Sequence, residues 1–485
     1  MTGTLSHAEP LPEPAVEPAR ARAVRAGEVP GAGPGSRRGS AAGPSRAAPS
    51  PVDDLTGLVR WVLDIPTEPG EPTIFNASVK MAATTVYSEH PCYDNNGGSG
   101  LTAQDARGAA LGEGLERYCC SVYDHGDHLV GSYDEVSRTH PAVRPDDLAL
   151  FRPHVGTAPG TAPGTAHARD VPLAWVWAWR PLARSAVLVP ACLVYMPYFP
   201  GTPDEVVLAP AVSTGLACAA TVDDAVLRGV CEAVERDAFM ITWMNRLPVP
   251  RVDLTSHPRL RRVYEERLAR DGLEYLLVRT TTDLGVPSFL CVLLDHRRSP
   301  TMISVGGAAG LDPVRAATKA MTEAVQTREW GKFLGGPEGR APFAAEYDDV
   351  RDFEDHVRLY AYGDMEHAVE FLRTGPLVGV DEGVPAGSST PTTGPRSVAA
   401  DLATVLGRLD DAGLDVLTLD LTTTDVAEAG YRVARTIVPQ LQPLDADHRL
   451  RFLGGRRLYE APVRMGYRTA PSTVADLNPV PHPYP

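Results

Sequence analysis

A sixteen-residue pattern occurs twice in this chain, at Thr102–Arg117 and Thr221–Arg236, and a looser copy runs from Asp312 to Thr327. Both clear copies read T-x-x-D-A-x-x-x-x-x-x-E-x-x-E-R. Thr102, Asp105, Ala106, Glu113, Glu116 and Arg117 match Thr221, Asp224, Ala225, Glu232, Glu235 and Arg236 in order. In the third copy Asp312 takes the Thr place, Arg315 the Asp place, Ala316 the Ala place, Glu323 the first Glu and Gln326 the second. Thr or Asp followed three residues on by a polar side chain is an N-cap signature, and Pro313 stands where a first-turn proline is tolerated. Each copy therefore predicts a capped helix.

Glutamates three apart lie on nearby turns of one helix face, so Glu113 with Glu116, and Glu232 with Glu235, present paired carboxylates that repel unless a cation lies between them. On a single exposed helix the following Arg would simply relieve that repulsion. Here the preceding stretches, Ala109-Ala110-Leu111-Gly112 and Gly229-Val230-Cys231, are small and apolar, so the glutamates emerge from packed helices, where a buried pair needs a partner. Clustered carboxylates with no His among them and no C-x-x-C pair suit a hard, oxygen-seeking cation such as Mg2+, and the repetition favours a shared metal or phosphate site.

The stretches Gly98-Ser99-Gly100 with Ala110–Arg117, Gly229–Ala238 and Thr322–Arg328 resemble the three hallmark helices of the YcaO family, in the same order and spacing. The ending Pro481-His482-Pro483-Tyr484-Pro485 is similar to the P-x-P-x-P ending of YcaO proteins that make azoline rings in ribosomal peptides, the cyclodehydratase (D) proteins of thiazole/oxazole-modified peptide biosynthesis. The resemblance runs from about Val52 to Pro485. It implies a YcaO-type α/β fold with ATP and Mg2+ as cofactors. It also implies Glu113, Glu116, Glu232 and Glu235 as magnesium ligands, and Asp224, Arg236, Lys319 and Glu323 as further residues of the nucleotide site, Arg236 touching phosphate. Lys319 replaces an Arg common in the family, which keeps the charge but loses the planar fork. Ala220 and Ser99 depart from residues often Asn and Lys there. The Pro485 carboxylate is implied as the catalytic base, carried in by a stiff proline-rich tail over 478–485.

By the same resemblance a Cys, Ser or Thr side chain of a precursor peptide attacks the preceding backbone carbonyl, whose oxygen is phosphorylated and leaves, giving thiazoline or oxazoline. A separate leader-binding protein of the E1-like (ocin-ThiF) type is the implied partner, because nothing before Val52 reads as such a module. A flavin-dependent azoline dehydrogenase would follow if the product carries aromatic azoles, and a homodimer is compatible with the chain. Three alternatives stay open: thioamide or amidine formation by the same family, a non-catalytic peptide-binding scaffold with a degenerate nucleotide pocket, and an ATP-using ligase of small molecules.

Composition narrows the rest. A net charge of −15 argues against a nucleic-acid surface, and no apolar run approaches the roughly 20 residues of a membrane span. Seven cysteines without a C-x-x-C pair read as reduced, buried thiols, and thirteen histidines offer no H-E-x-x-H. No Walker loop or G-x-S-x-G elbow appears. Gly98-x-Gly100 reads as a glycine turn that brings backbone close to phosphate at a helix N-terminus. Residues 1–51, rich in Ala, Pro, Gly and Arg, read as a disordered extension without an apolar signal core, so the protein is expected in the cytoplasm. The catalytic domain is expected over 52–485, interrupted by surface loops at 157–165 and 374–397. Strands are expected at Leu188–Tyr195, Tyr275–Thr280, Phe289–Leu294 and after Leu55, with a late helix and strand over Leu402–Leu419.

Overall fold

The computed structural model describes residues 22–23 and 50–485, apart from 56, 87–89, 151–168, 336–342, 386 and 389–395. The 157–165 loop, most of the N-terminal extension and part of 374–397 therefore lie outside the described residues.

The central strand Ser288–Asp295 (β9) shows how the core is built. Every residue of SFLCVLLD is buried, and the side chains alternate: Leu290, Val292 and Leu294 enter one apolar cluster, while Phe289, Cys291 and Leu293 enter another. A strand covered on both faces needs layers on both sides, and helices supply them. Numbering the other elements in chain order, β1 is Val59–Ile65, β2 Phe75–Met81, β3 Asn95–Gly100 and α1 Ala103–Ser121. Next come β4 Leu129–Gly131, β5 Leu173–Arg180, β6 Ser185–Pro190, β7 Leu216–Ala219, α2 Val222–Asn245 and β8 Leu273–Arg279. Following β9 are β10 Met302–Ala309, α3 Pro313–Leu334, α4 Val398–Asp411, β11 Leu417–Asp420, β12 Arg432–Ile437 and α5 Arg456–Arg464.

Three sheets result. The first is the antiparallel β1-β2-β3; the second runs β10-β9-β8 and on to the short strands Arg251–Val252 and Leu377–Val378; the third runs β4-β5-β11-β12-β7, with β6 on β5 and Arg22–Ala23 on β11. The segment expected as a loop at 374–397 thus contributes one of these short strands. The strand expected at Leu188–Tyr195 ends at Pro190 and becomes a 3-10 turn at Ala191–Leu193. The late helix and strand are α4 and β11.

The repeated pattern folds into α1, α2 and α3. Thr102, Thr221 and Asp312 are their N-caps, each accepting a hydrogen bond from the backbone N–H three residues on, at Asp105, Asp224 and Arg315. α1 packs on β2 and β3 and touches β7; α2 lies against β12, β7 and β10; α3 packs on β10 and β9 and reaches β3. This ring of contacts brings the three helices to one place. Two strand glycines let the backbones close: a Cβ at Gly98 would sit 2.2 Å from the Ala110 nitrogen, and one at Gly306 would sit 2.3 Å from the Ala324 nitrogen. Among the described residues no helix is long and apolar enough to cross a membrane, and all seven cysteines are free thiols.

Candidate active site

Glu113, Glu116, Asp224, Glu232, Glu235, Arg236, Lys319, Glu323 and Pro485 all line one cleft of about 2990 Å3. The same local geometry recurs in the first two helices. Glu113 Oε2 accepts the Gly97 N–H at 3.2 Å while its Oε1 pairs with Arg117 one turn later at 3.2 Å. Glu232 Oε2 accepts the Gly215 N–H at 3.3 Å while its Oε1 pairs with Arg236 at 2.7 Å. In α3 the corresponding Glu323 pairs backwards, with Lys319 at 3.0 Å. The first glutamate of each clear copy is therefore braced by a glycine N–H, from β3 at Gly97 and from the turn before β7 at Gly215, and by its own helix's Arg.

The second glutamates look elsewhere. Glu116 Oε1 accepts the Cys218 N–H of β7 at 2.8 Å, so the two carboxylates of α1 are held by different sheets rather than side by side. Glu235, 6 % exposed, accepts the phenol of Tyr484. Burial pushes the Glu116 carboxyl up to about 8, with Arg117 opposing and Glu232 and Glu113 adding to the rise. Burial also raises Glu235, against the pull of Lys319 and with the help of Glu323 and Glu232. Lys319 is raised chiefly by Glu323. The carboxylates are crowded beyond what their present cations neutralise.

Arg236 bridges to Thr214 Oγ1 at 3.1 Å through Nη1, and burial, outweighed by Glu232, leaves its guanidinium more firmly charged than usual. Arg117 Nη1 and Arg236 Nε are buried without an acceptor among the described residues, a condition an anion's oxygens would relieve. Asp224 is engaged by Arg228 through two contacts of 3.1 and 3.0 Å. Among the described residues no three His, Cys, Asp or Glu side chains converge to hold a metal ion by themselves. An all-oxygen donor set fits Mg2+, which takes one or two carboxylates and completes its shell with water and phosphate.

The tail is docked. Trp243 Nε1 donates to Val480 O at 3.1 Å, Tyr360 OH to Pro481 O at 2.7 Å, His356 Nδ1 to His482 O at 2.6 Å, and His482 Nε2 to Asp445 O at 2.7 Å. Pro485 ends in the cleft. Gly98-Ser99-Gly100, read as a turn, lies instead in β3: Gly98 is bare because α1's backbone fills the space, and Gly97 supplies the N–H. Sequence reasoning missed Thr214, Gly97, Gly215 and Tyr484, whose contacts join segments far apart or use backbone that carries no side-chain signal.

A family model described as YcaO cyclodehydratase, ATP- and Mg2+-binding, matches residues 97–442, more than two-thirds of the chain. The chain is similar to an uncharacterised protein of the tfuA 3' region of Rhizobium leguminosarum bv. trifolii, 38 % identical over 167 residues, which cover 32 % of this chain and 39 % of that one. Its fold resembles a heterocyclase solved in complex with substrate and cofactor, at a TM-score of 0.68 and 25 % identity, over 90 % of this chain and 56 % of the other. It also resembles YcaO from Methanopyrus kandleri bound with AMPPCP and Mg2+, at a TM-score of 0.53 and 19 % identity, over 79 % and 86 %. The chain thus spans little more than half of that heterocyclase and well under half of the Rhizobium protein. The family match, carried by helices whose glutamates share one cleft, shows that the chain belongs to the YcaO family.

Proposed function

We propose that this protein is an ATP-dependent cyclodehydratase that converts Cys, Ser or Thr of a ribosomally made precursor peptide into thiazoline or oxazoline, within a catalytic domain over residues 52–485. The observation that carries this reading is the seating of the proline-rich tail in the cleft that holds the repeated glutamates. The heterocyclase and nucleotide-bound relatives agree with it.

In this reading Glu113, Glu116, Glu232 and Glu235 hold Mg2+, and Asp224, Lys319 and Glu323 complete the nucleotide site. ATP bound there with Mg2+ supplies the phosphoryl group that departs with the amide oxygen, which makes net loss of water from the peptide favourable. Arg236 and Lys319 neutralise charge on the phosphoryl oxygens, and the unpaired N–H groups of Arg117 and Arg236 are donors already fixed by burial. The Pro485 carboxylate accepts the proton of the attacking thiol or hydroxyl. A separate leader-binding protein presents the precursor.

Removing Pro485 tests the reading. Expected is loss of ring formation with Mg2+-nucleotide binding retained. Full ring formation without that carboxylate would sink the proposed base, and ATP-dependent entry of sulfur or an amine into the peptide would replace azoline chemistry by the family's thioamide or amidine chemistry.

A further inference from the structure

The last tyrosine of the tail is used in a way that the proline pattern does not require. Tyr484 is 4 % exposed, with its ring packed 4.8 Å from that of Phe239 and its backbone N–H given to His482 Nδ1 at 3.2 Å. The phenol lies against Gly307 of β10, where a Cβ would come within 2.5 Å of the hydroxyl oxygen, so the strand is bare at the place the phenol occupies. The hydroxyl donates to Glu235 Oε1. A phenylalanine would fill the same apolar slot without bringing a hydroxyl into a buried site, and a buried hydroxyl is tolerated because it has this acceptor. With Oε1 taken by the phenol, Oε2 of Glu235 remains for a cation.

We propose that Tyr484 is a positioning residue for Glu235, so that seating of the tail and binding of the Mg2+-nucleotide pair at that carboxylate reinforce each other. The inference rests on the reading of Glu235 as a magnesium ligand. Groups that orient a ligating carboxylate typically change metal affinity about 10–100-fold when removed. Linkage makes the effect mutual: what the phenol does for the metal, the metal does for the tail. The cleft would then be ready for peptide only when Pro485 and the nucleotide are both in place.

The experiment compares the full chain with Tyr484→Phe, Glu235→Gln and Tyr360→Phe, measuring Mg2+-AMPPCP affinity by calorimetry and hydrogen exchange in the tail with and without that ligand. Tyr360→Phe removes a tail hydrogen bond, to Pro481 O, that does not touch Glu235. Expected are a 10–100-fold weaker affinity for Tyr484→Phe, a clearly smaller loss for Tyr360→Phe, which only loosens the tail, and ligand-induced tail protection in the unaltered chain that Tyr484→Phe loses. If the unaltered chain binds, Glu235→Gln fails to bind and Tyr484→Phe binds normally, the inference is overturned while the reading of Glu235 stands. An equal loss in Tyr360→Phe and Tyr484→Phe would overturn it in favour of mere tail packing. If the unaltered chain does not bind Mg2+-AMPPCP, both fall together.

Discussion

Arg457 offers a quantitative test of how α5 is tied to α2, the helix that carries Glu232 and Glu235. It lies on α5, 5 % exposed, and gives Nε and Nη2 to the carboxylate of Asp237 at 2.7 to 3.2 Å. Its Nη1 and Nη2 also reach Asp283 at 3.2 and 2.9 Å. Asp237 is fully buried and follows Arg236 directly. Breaking a buried pair by removing one partner costs about 3–5 kcal/mol, because a charge is left uncompensated. Arg457→Met keeps much of the volume but strands two carboxylates. Asp237 would retain the Gln442 N–H at 2.9 Å, and Asp283 would retain Arg464 at 2.7 Å. Those contacts soften the loss, but two carboxylates lose one shared cation at once, which keeps it near the upper end, about 4–5 kcal/mol. Asp237→Asn leaves Arg457 its bonds to Asp283, which places it near the lower end, about 3 kcal/mol. The double variant should lose less than the sum, by a coupling of about 1–3 kcal/mol. Urea unfolding of the four proteins measures all three quantities. A loss below about 1 kcal/mol for Arg457→Met, or strict additivity, would refute the argument.

Two further perturbations follow from the frame around the cleft. Burial opposes ionisation of Glu71, but hydrogen bonds from Arg297 and Arg328 outweigh it and hold the carboxyl at about 2 rather than 4.5; Asp295 is held at about 2 by the same two arginines against its own burial. Folded values below the unfolded ones mean stabilisation that is complete above about pH 4.5 and lost as pH falls towards 2. Glu71→Gln should lower stability at neutral pH and flatten the acid limb of a stability–pH curve, and an unchanged limb would contradict the assignment. Gly306→Ala would place a Cβ 2.3 Å from the Ala324 nitrogen and 2.5 Å from the Ala320 oxygen, backbone atoms that cannot swing away. α3 must shift, so thermal unfolding should show a loss of about 1–3 kcal/mol and, on the proposed role of Glu323, weaker nucleotide binding; a silent substitution would mean the helix is free to slide.

How much of this was legible in the sequence depended on range. The three caps, the helices and the strands at Leu273–Arg279 and Ser288–Asp295 follow from local chemistry, because cap residues and short continuous apolar runs act within one element. The glutamate spacing marked residues that share one cleft, although it did not reveal that Glu116 turns to Cys218 while Glu113 stays with Gly97. That difference is set by which sheet lies beside each turn of α1, a tertiary fact. The glycines of β3 misled for the same reason: Gly98 looks like turn chemistry, yet its bareness serves strand–helix packing. The bond between Tyr484 and Glu235 spans 249 residues and leaves no local trace. The Asp237–Arg457 pair, 220 residues apart, was equally invisible.

The central claim is that the cleft uses ATP to remove water from a peptide. The measurement that tests it most directly is the mass of a candidate precursor peptide after incubation with this protein, a leader-binding partner, Mg2+ and ATP, beside the same reaction with Glu232→Gln. The account predicts loss of one water per modified Cys, Ser or Thr, dependent on ATP and absent in the variant. A precursor that keeps its mass while the protein turns over ATP with it, or one that loses water equally with Glu232→Gln, would contradict it.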